Sequence, residues 1–316
     1  MNTQWEKHLD AFVYYLKLER SFSPNTVESY LYDCRRLVDF LSQRYPDLKE
    51  QEVDIKVLNE FVSSLERKKL DDDDDIVLSA ATQQRIIQGV RAFFKFLFFS
   101  DVIESNPSEQ LITPYSEYRL PDILSYEEIK RMTEVIDVSK LHNYRNRLII
   151  KMLYATGMRV SELVNLKKSD INRKEEYLDI IGKGNKERLI PLDSKVMEDL
   201  LFYIDRYRAL IRPRLKDKPN NYVFRSQKQG DKLTRQFVFE MIKEAALAAG
   251  INKKVHPHIL RHSFATEMIR AGANLMVVKE IMGHSSIAST EIYINLNTSD
   301  LRDTLEKYHP FYTKKH

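Results

Sequence analysis

Four runs of apolar residues at helical spacing fill the first hundred residues of this 316-residue chain and then stop. That pattern commits the N-terminal part to helix-on-helix packing, because each stripe must be buried against another. The first run covers Glu6 to Arg20, with Phe12, Val13, Tyr15 and Leu16 on its apolar side. Ser23-Pro24 opens the second, serine being a favoured N-cap and proline suiting the first helical position, where an N–H has no partner anyway. Tyr30, Leu31, Leu37, Val38 and Leu41 carry it onward. Leu58, Phe61, Val62 and Leu65 mark a third helix over Ile55 to Arg67, and a fourth spans Ser79 to Ser100. Together they predict a four-helix bundle over residues 1–106. Residues 107–121 hold turn and polar residues without a sustained period, which predicts an interdomain linker.

Residues 122–316 read as a second domain of mixed character. Ser125-Tyr-Glu-Glu128 is a capping-box pattern. A helix over Arg145 to Thr156 is ended by Gly157, and another starts near Val160. Tyr177–Ile181 and Glu187–Pro191 flank Gly182-Lys-Gly-Asn-Lys186, a β-hairpin with a basic tip. The remainder is mostly helical. The fold class expected is therefore mainly α with a small β-sheet.

Composition narrows the function. With 43% hydrophobic and 30% charged residues the chain reads as a soluble globular protein. The longest apolar stretch, Phe93 to Phe99, is broken by Lys95 and is too short to span a bilayer. The start, Met1 to His8, has no signal-peptide core, so a cytoplasmic location is expected. A lone cysteine, Cys34, excludes disulfide frameworks and cysteine zinc sites. Residues 1–120 hold 15 Lys and Arg against 21 Asp and Glu, whereas the rest hold 35 against 25. A basic C-terminal part suits a polyanionic partner, because bound lysines and arginines release counterions condensed on DNA. The run Asp71–Asp75 accounts for most of the N-terminal deficit and reads as a solvated loop.

The chemistry-bearing residues lie in the basic part. His258-Ile-Leu-Arg261 places a histidine and an arginine three apart on one helical side, just after Pro257. His262 is expected as a core histidine. Arg159 follows Gly157, so the chain can present it at a helix N-terminus, where backbone N–H groups favour an anion. Glu162, three residues on, can hold its guanidinium; taken singly, the two also make an ordinary surface ion pair. His284 follows the helix-stopping Gly283, and Tyr293 lies nine residues beyond His284. Guanidiniums bind phosphate oxygens in planar pairs, histidines move protons, and a tyrosine hydroxyl can attack phosphorus. Lys183, Lys186 and Arg188 in the hairpin are candidates for contact with DNA. Gly182-Lys-Gly-Asn is no Walker motif, and the sequence shows no acidic cluster suited to two magnesium ions, so neither metal nor cofactor is expected.

Ala-Thr-Gly-Met-Arg159-Val-Ser-Glu-Leu, Gly-Lys183-Gly-Asn-Lys-Glu-Arg-Leu-Ile-Pro-Leu, His258-Ile-Leu-Arg261-His-Ser-Phe-Ala-Thr, Gly-His284-Ser and Tyr293 together resemble the tyrosine recombinase (phage integrase) family, with the bacterial Xer recombinases as the nearest branch. Ser23-Pro-Asn-Thr-Val-Glu-Ser-Tyr30 resembles the start of that family's N-terminal helical domain, so the likeness covers essentially the whole chain. The resemblance implies a helical core-binding, SAM-like domain and a catalytic domain forming a C-shaped clamp on double-stranded DNA. It implies Tyr293 as the nucleophile and Arg159 and Arg261 on the scissile phosphate. Lys183 would be the general acid, His258 the general base and His284 a hydrogen-bond donor to the phosphate. It also implies recombination through a 3′-phosphotyrosine and a Holliday junction, by four subunits, identical or paired with a paralogous recombinase. A C-terminal tail would dock on a neighbouring subunit, and a DNA translocase of the FtsK type would be a further partner. The chain reads as too short at its N-terminus for the additional arm-site domain of phage-type integrases, which favours a simple Xer-like enzyme acting at a short core site. Chromosome dimer resolution is the leading expectation, and a mobile-element integrase or DNA invertase of the same short architecture is the alternative. The aspartate run departs from the family's pattern without touching the catalytic set.

Overall fold

The computed structural model describes residues 3–65, 68–69, 75–76, 78–113, 122–182, 187–210, 221–226, 232–283 and 298–313. They fall into two compact units, residues 1–119 and 120–316.

The first unit is built from α1 (Thr3–Tyr14), α2 (Pro24–Arg44), α3 (Ile55–Leu65) and α4 (Ala80–Phe99). Each start has a local cause. Ser23 Oγ accepts from the Thr26 N–H at 3.3 Å, and Ser79 Oγ does the same for Thr82 at 3.3 Å. The α1 register slips into a π-turn at Tyr15–Glu19 before the chain turns back. The stripes meet in one core that includes Trp5, Phe12, Leu37, Leu58, Phe61, Ile86, Phe93 and Leu97. Ring packing such as Phe12 against Phe93, 5.3 Å between centroids, holds α1 to α4. A short 3₁₀ turn, Pro107–Gln110, follows, and Leu111 is buried in this same core. Part of the aspartate run takes strand form: β1 (Lys68–Lys69) pairs with β2 (Asp75–Ile76), Lys69 opposite Asp75. Asp71 to Asp74 lie outside the described residues.

The second unit begins with α5 (Tyr126–Glu134), whose Ser125 and Glu128 form the expected capping box. Then come α6 (Leu141–Thr156) and the short α7 (Val160–Asn165). A three-stranded antiparallel sheet, in the order of β3 (Ile171–Asn172), β4 (Tyr177–Ile181) and β5 (Glu187–Pro191), contains the predicted hairpin plus a third strand the periodicity did not reveal. Its register pairs Ile181 with Glu187 and Ile180 with Arg188. Next are α8 (Ser194–Phe202), α9 (Arg208–Leu210) and α10 (Arg235–Ala248). The chain closes with α11 (Pro257–Arg270), α12 (Leu275–Met282), α13 (Thr298–Tyr308) and α14 (Pro310–Thr313). Leu148, Met152, Leu178, Ile190, Leu260 and Phe264 belong to the single core that joins helices and sheet.

The tail expected to serve a neighbouring subunit packs on its own unit as far as Thr313. His309 is wholly buried; its Nε2 lies 3.2 Å from the Tyr154 carbonyl oxygen, and its Nδ1 accepts from the Phe311 N–H at 3.1 Å. Burial holds this histidine far down, at about 3, so its ring stays neutral and Nε2 carries the proton. No helix among the described residues is long and apolar enough to cross a membrane.

Candidate active site

Gly157 is the pivot on which the site is assembled. It ends α6 in a left-handed conformation (φ +59°), its N–H donating to the Leu153 carbonyl at 3.1 Å. A side chain here is excluded twice over, because a Cβ would fall 2.5 Å from Cδ1 of Phe264 on α11. The reversal sets Arg159 at the N-cap of α7, with Glu162 one turn on. Glu162 Oε2 accepts from the Arg159 backbone N–H at 2.7 Å, and Oε1 accepts from its guanidinium at 2.9 Å. The sequence anticipated this pair. It did not anticipate that the carboxylate is buried, its side chain 5% exposed, or that a second arginine shares it.

That second arginine is Arg188. Expected among the DNA contacts, it is buried instead: Nη1 and Nη2 donate to Glu162 Oε1 and Oε2 at 3.1 and 2.8 Å, and Nε donates to the Ile281 carbonyl at 2.9 Å. The reason lies in strand parity. Arg188 shares its face of β5 with the buried Ile190, so the side chain enters the core and needs a carboxylate there. Burial alone would raise the Glu162 carboxyl. The hydrogen bonds and charge of Arg188, then the N–H and guanidinium of Arg159, outweigh it and hold the group below the ordinary glutamate range. Glu162 is therefore a fixed negative charge between two guanidiniums.

Arg261 joins from α11. It is 6% exposed, and its Nη1 donates to the Gly157 carbonyl and its Nη2 to the Met282 carbonyl, at 2.5 and 2.6 Å. Burial, then the charge of Arg159, brings it down to about 10, which leaves it protonated at neutral pH. The third bond of this kind runs from Arg159 Nη2 to the Gly283 carbonyl at 3.3 Å. Ile281, Met282 and Gly283, the last carbonyls of α12, thus each accept from a different arginine. They are orphan acceptors at a helix C-terminus, the negative end of its dipole, where cations are favoured.

His258 stands one turn before Arg261, exposed beside it in a cleft of about 440 Å³ that both line with His256, His262 and Met282. Desolvation in the cleft, then the charges of His256, Arg261 and Arg159, holds His258 below the usual histidine value. It is neutral at neutral pH and able to accept a proton. His262 is a correction: it is exposed, not a core residue, because it lies one turn after His258 on the same open face of α11. A second cleft, about 480 Å³, runs from Arg159 past Asn165 and Lys167 to the end of β4 at Ile181. Lys183, Lys186, His284 and Tyr293 lie outside the described residues. The structure thus gathers Arg159, His258 and Arg261 and adds Glu162 and Arg188 as their support. Two guanidiniums beside a neutral histidine can bind a phosphodiester and take up a proton there.

The sequence as a whole agrees with known proteins of this chemistry. The phage integrase family model matches residues 122–300, and that of the phage integrase N-terminal SAM-like domain matches residues 9–99. Tyrosine recombinase XerD of Staphylococcus haemolyticus is 34% identical over 308 residues, covering 96% of this chain and 99% of that protein. Its counterpart in Staphylococcus aureus (strain Mu50) is 32% identical over 305 residues, with the same coverage of 96% and 99%. Among solved structures, the XerH site-specific recombinase bound to its difH substrate, in a pre-cleavage complex, gives a TM-score of 0.66 at 25% identity over 96% of this chain and 83% of that one. A lambda integrase dimer on a COC′ core site, at 18% identity and a TM-score of 0.66 over 93% and 98% of the two chains, shares the fold. Family match and full-length likeness agree with the arginine-lined site, and the chain belongs to the phage integrase family as a site-specific tyrosine recombinase of the Xer type.

Proposed function

We propose that this recombinase cuts and rejoins a short double-stranded site with Tyr293 as nucleophile and resolves chromosome dimers. The observation that carries the site assignment is the pairing of Arg159 and Arg261 on adjacent carbonyls of α12 beside His258. Both guanidiniums address the non-bridging oxygens of the scissile phosphate, where negative charge grows in the pentavalent transition state. The Tyr293 oxygen bonds to phosphorus and its proton passes to His258. The bond to the 5′-oxygen breaks, and Lys183 supplies the proton that makes it a 5′-hydroxyl. His284 donates to a phosphate oxygen, and Lys186 contacts the duplex near the hairpin tip. The resulting 3′-phosphotyrosine keeps the energy of the broken bond, so rejoining needs no nucleotide cofactor. Attack by the 5′-hydroxyl of a partner duplex exchanges strands, and two exchanges pass through a Holliday junction. Four protomers are required, identical or paired with a paralogue, and a translocase of the FtsK type fits as the trigger. The protein then acts in the cytoplasm, during chromosome partition before cell division. The XerH–difH complex and the XerD relatives support DNA as the substrate and this role.

The test is to mix the protein with fragmented genomic DNA of its source, quench in denaturant and sequence what stays covalently attached, with Tyr293→Phe in parallel. Adducts at one chromosomal locus that vanish in the variant are expected. Adducts that persist in Tyr293→Phe contradict the nucleophile, and adducts only at the borders of a mobile element contradict the chromosomal role.

A further inference from the structure

We propose that Arg188 is a positioning residue for strand cleavage, acting through Glu162 on Arg159 and through the end of α12 on Arg261; the proposal rests on the phosphate-binding roles given above to those two arginines. The sequence pointed elsewhere, to a surface cation touching DNA. Three observations favour the inner role. The Arg188 side chain is 6% exposed, so it presents no charge to a phosphate in solvent. Both its terminal nitrogens bind the two oxygens of Glu162, the same carboxylate that grips Arg159 through backbone and side chain. Its remaining nitrogen binds the Ile281 carbonyl, one residue before the Met282 carbonyl that holds Arg261.

The consequence is geometric. Arg159 and Arg188 each tie the Glu162 carboxylate to the α12 terminus, Arg159 through Gly283 and Arg188 through Ile281. When a phosphate arrives, Arg159 and Arg261 must turn some of their N–H groups from carbonyls to phosphate oxygens. Arg188 has no such task, so it keeps Glu162 and Ile281 in place while the others exchange partners. Close packing supports this fixed role: a Cβ on Gly283 would fall 3.0 Å from Cδ and Nη1 of Arg188. A lysine cannot replace it, because a single ammonium lacks the fork that meets two carboxylate oxygens and a carbonyl together.

The experiment compares wild type, Arg188→Lys, Arg188→Met, Glu162→Gln and the Arg188→Met/Glu162→Gln double variant on a duplex carrying the mapped site. Thermal unfolding checks that each variant is folded. Duplex affinity and its salt dependence are measured apart from the rate of covalent adduct formation at saturating DNA. For Arg188→Lys the expected result is unchanged affinity and salt slope with adduct formation slowed about 10²-fold, the cost of misplacing a reacting group by about an ångström. In Arg188→Met the Glu162 carboxyl loses its main stabilising partner, so its protonation moves up and the rate gains an acid limb that a merely loosened fold would not create. The double variant should cleave within about threefold of the slower single variant, because the two side chains act as one unit. A wild-type rate in Arg188→Lys, multiplicative losses in the double variant, or a salt slope reduced by about one (the mark of a phosphate contact) would each overturn the proposal. Arg261→Ala in the same assay separates the two levels: if it cleaves normally, the site assignment itself fails.

Discussion

Both units bury a carboxylate against an arginine, and the two pairs have opposite electrostatics. In the first unit Asp33, its side chain 3% exposed, meets Nη1 of Arg85 at 2.6 Å. Arg85 is half in solvent, and Asp33 Oδ1 is buried with no hydrogen-bond partner among the described residues. Burial therefore outweighs the help of Arg85 and Arg36, and the Asp33 carboxyl is pushed up. In the second unit Glu162 has two arginines and a backbone N–H, and its carboxyl is held down. A buried carboxylate stays charged when both its oxygens have donors and does so poorly when one has none. The first arrangement lies where Asp33 of α2 packs against Gly89 of α4, in a different unit from the arginine-lined site. The second fixes the direction of a guanidinium proposed to bind the scissile phosphate.

The sharpest break in this comparison comes from the guanidiniums themselves. Arg159→Ala or Arg261→Ala is expected to slow covalent adduct formation about 10²- to 10³-fold at saturating DNA, the usual effect of deleting one preorganised donor at a developing charge. Duplex affinity should change far less, because one arginine is a small part of the 50 lysines and arginines that can neutralise backbone phosphates. Gly157→Ala ranks next. It forces a left-handed φ on alanine and a contact with Phe264, and costs the second unit about 1–3 kcal/mol. Unfolding followed by hydrogen exchange should show the loss in residues 122–313 alone. The emission of Trp5, the single tryptophan, reports the first unit and should not move.

The smallest effects are in pH dependence, and they differ in sign. A lowered Glu162 contributes stability that is full above its unfolded value near 4.5 and is lost as pH falls through its folded value. A raised Asp33 does the reverse, contributing stability that is full below about 3.8 and lost as pH rises through its folded value. Asp33→Asn should remove that decline from the first unit, read by Trp5 emission in denaturant between pH 4 and 7. A decline that survives the substitution would locate its cause elsewhere.

What could be read in the sequence was what is decided locally. Ser23, Ser79 and Ser125 cap within three residues, and the Arg159–Glu162 contact closes within one turn, so each was visible as a short pattern. Arg188 was placed wrongly because its partners lie 26 and 93 residues away and are chosen by sheet register and by where α12 ends. Parity with Ile190 was the available signal, and it was overridden by the basic neighbourhood of the hairpin. His262 was misread for a related reason: α11 leaves His258 and His262 on an open face while burying Arg261. The tail was beyond local reading, since His309 and Tyr312 find the Tyr154, Ala155 and Pro191 carbonyls across more than a hundred residues.

The most direct test of the contrast is the single-turnover rate of covalent adduct formation at saturating DNA for Glu162→Gln beside Asp33→Asn. A glutamine cannot satisfy two guanidiniums, so Glu162→Gln is expected to slow the reaction about 10²-fold, whereas Asp33→Asn runs at the wild-type rate. Equal rates for the two variants would contradict the account, because the buried carboxylate of the second unit would then serve the fold and not the cleavage.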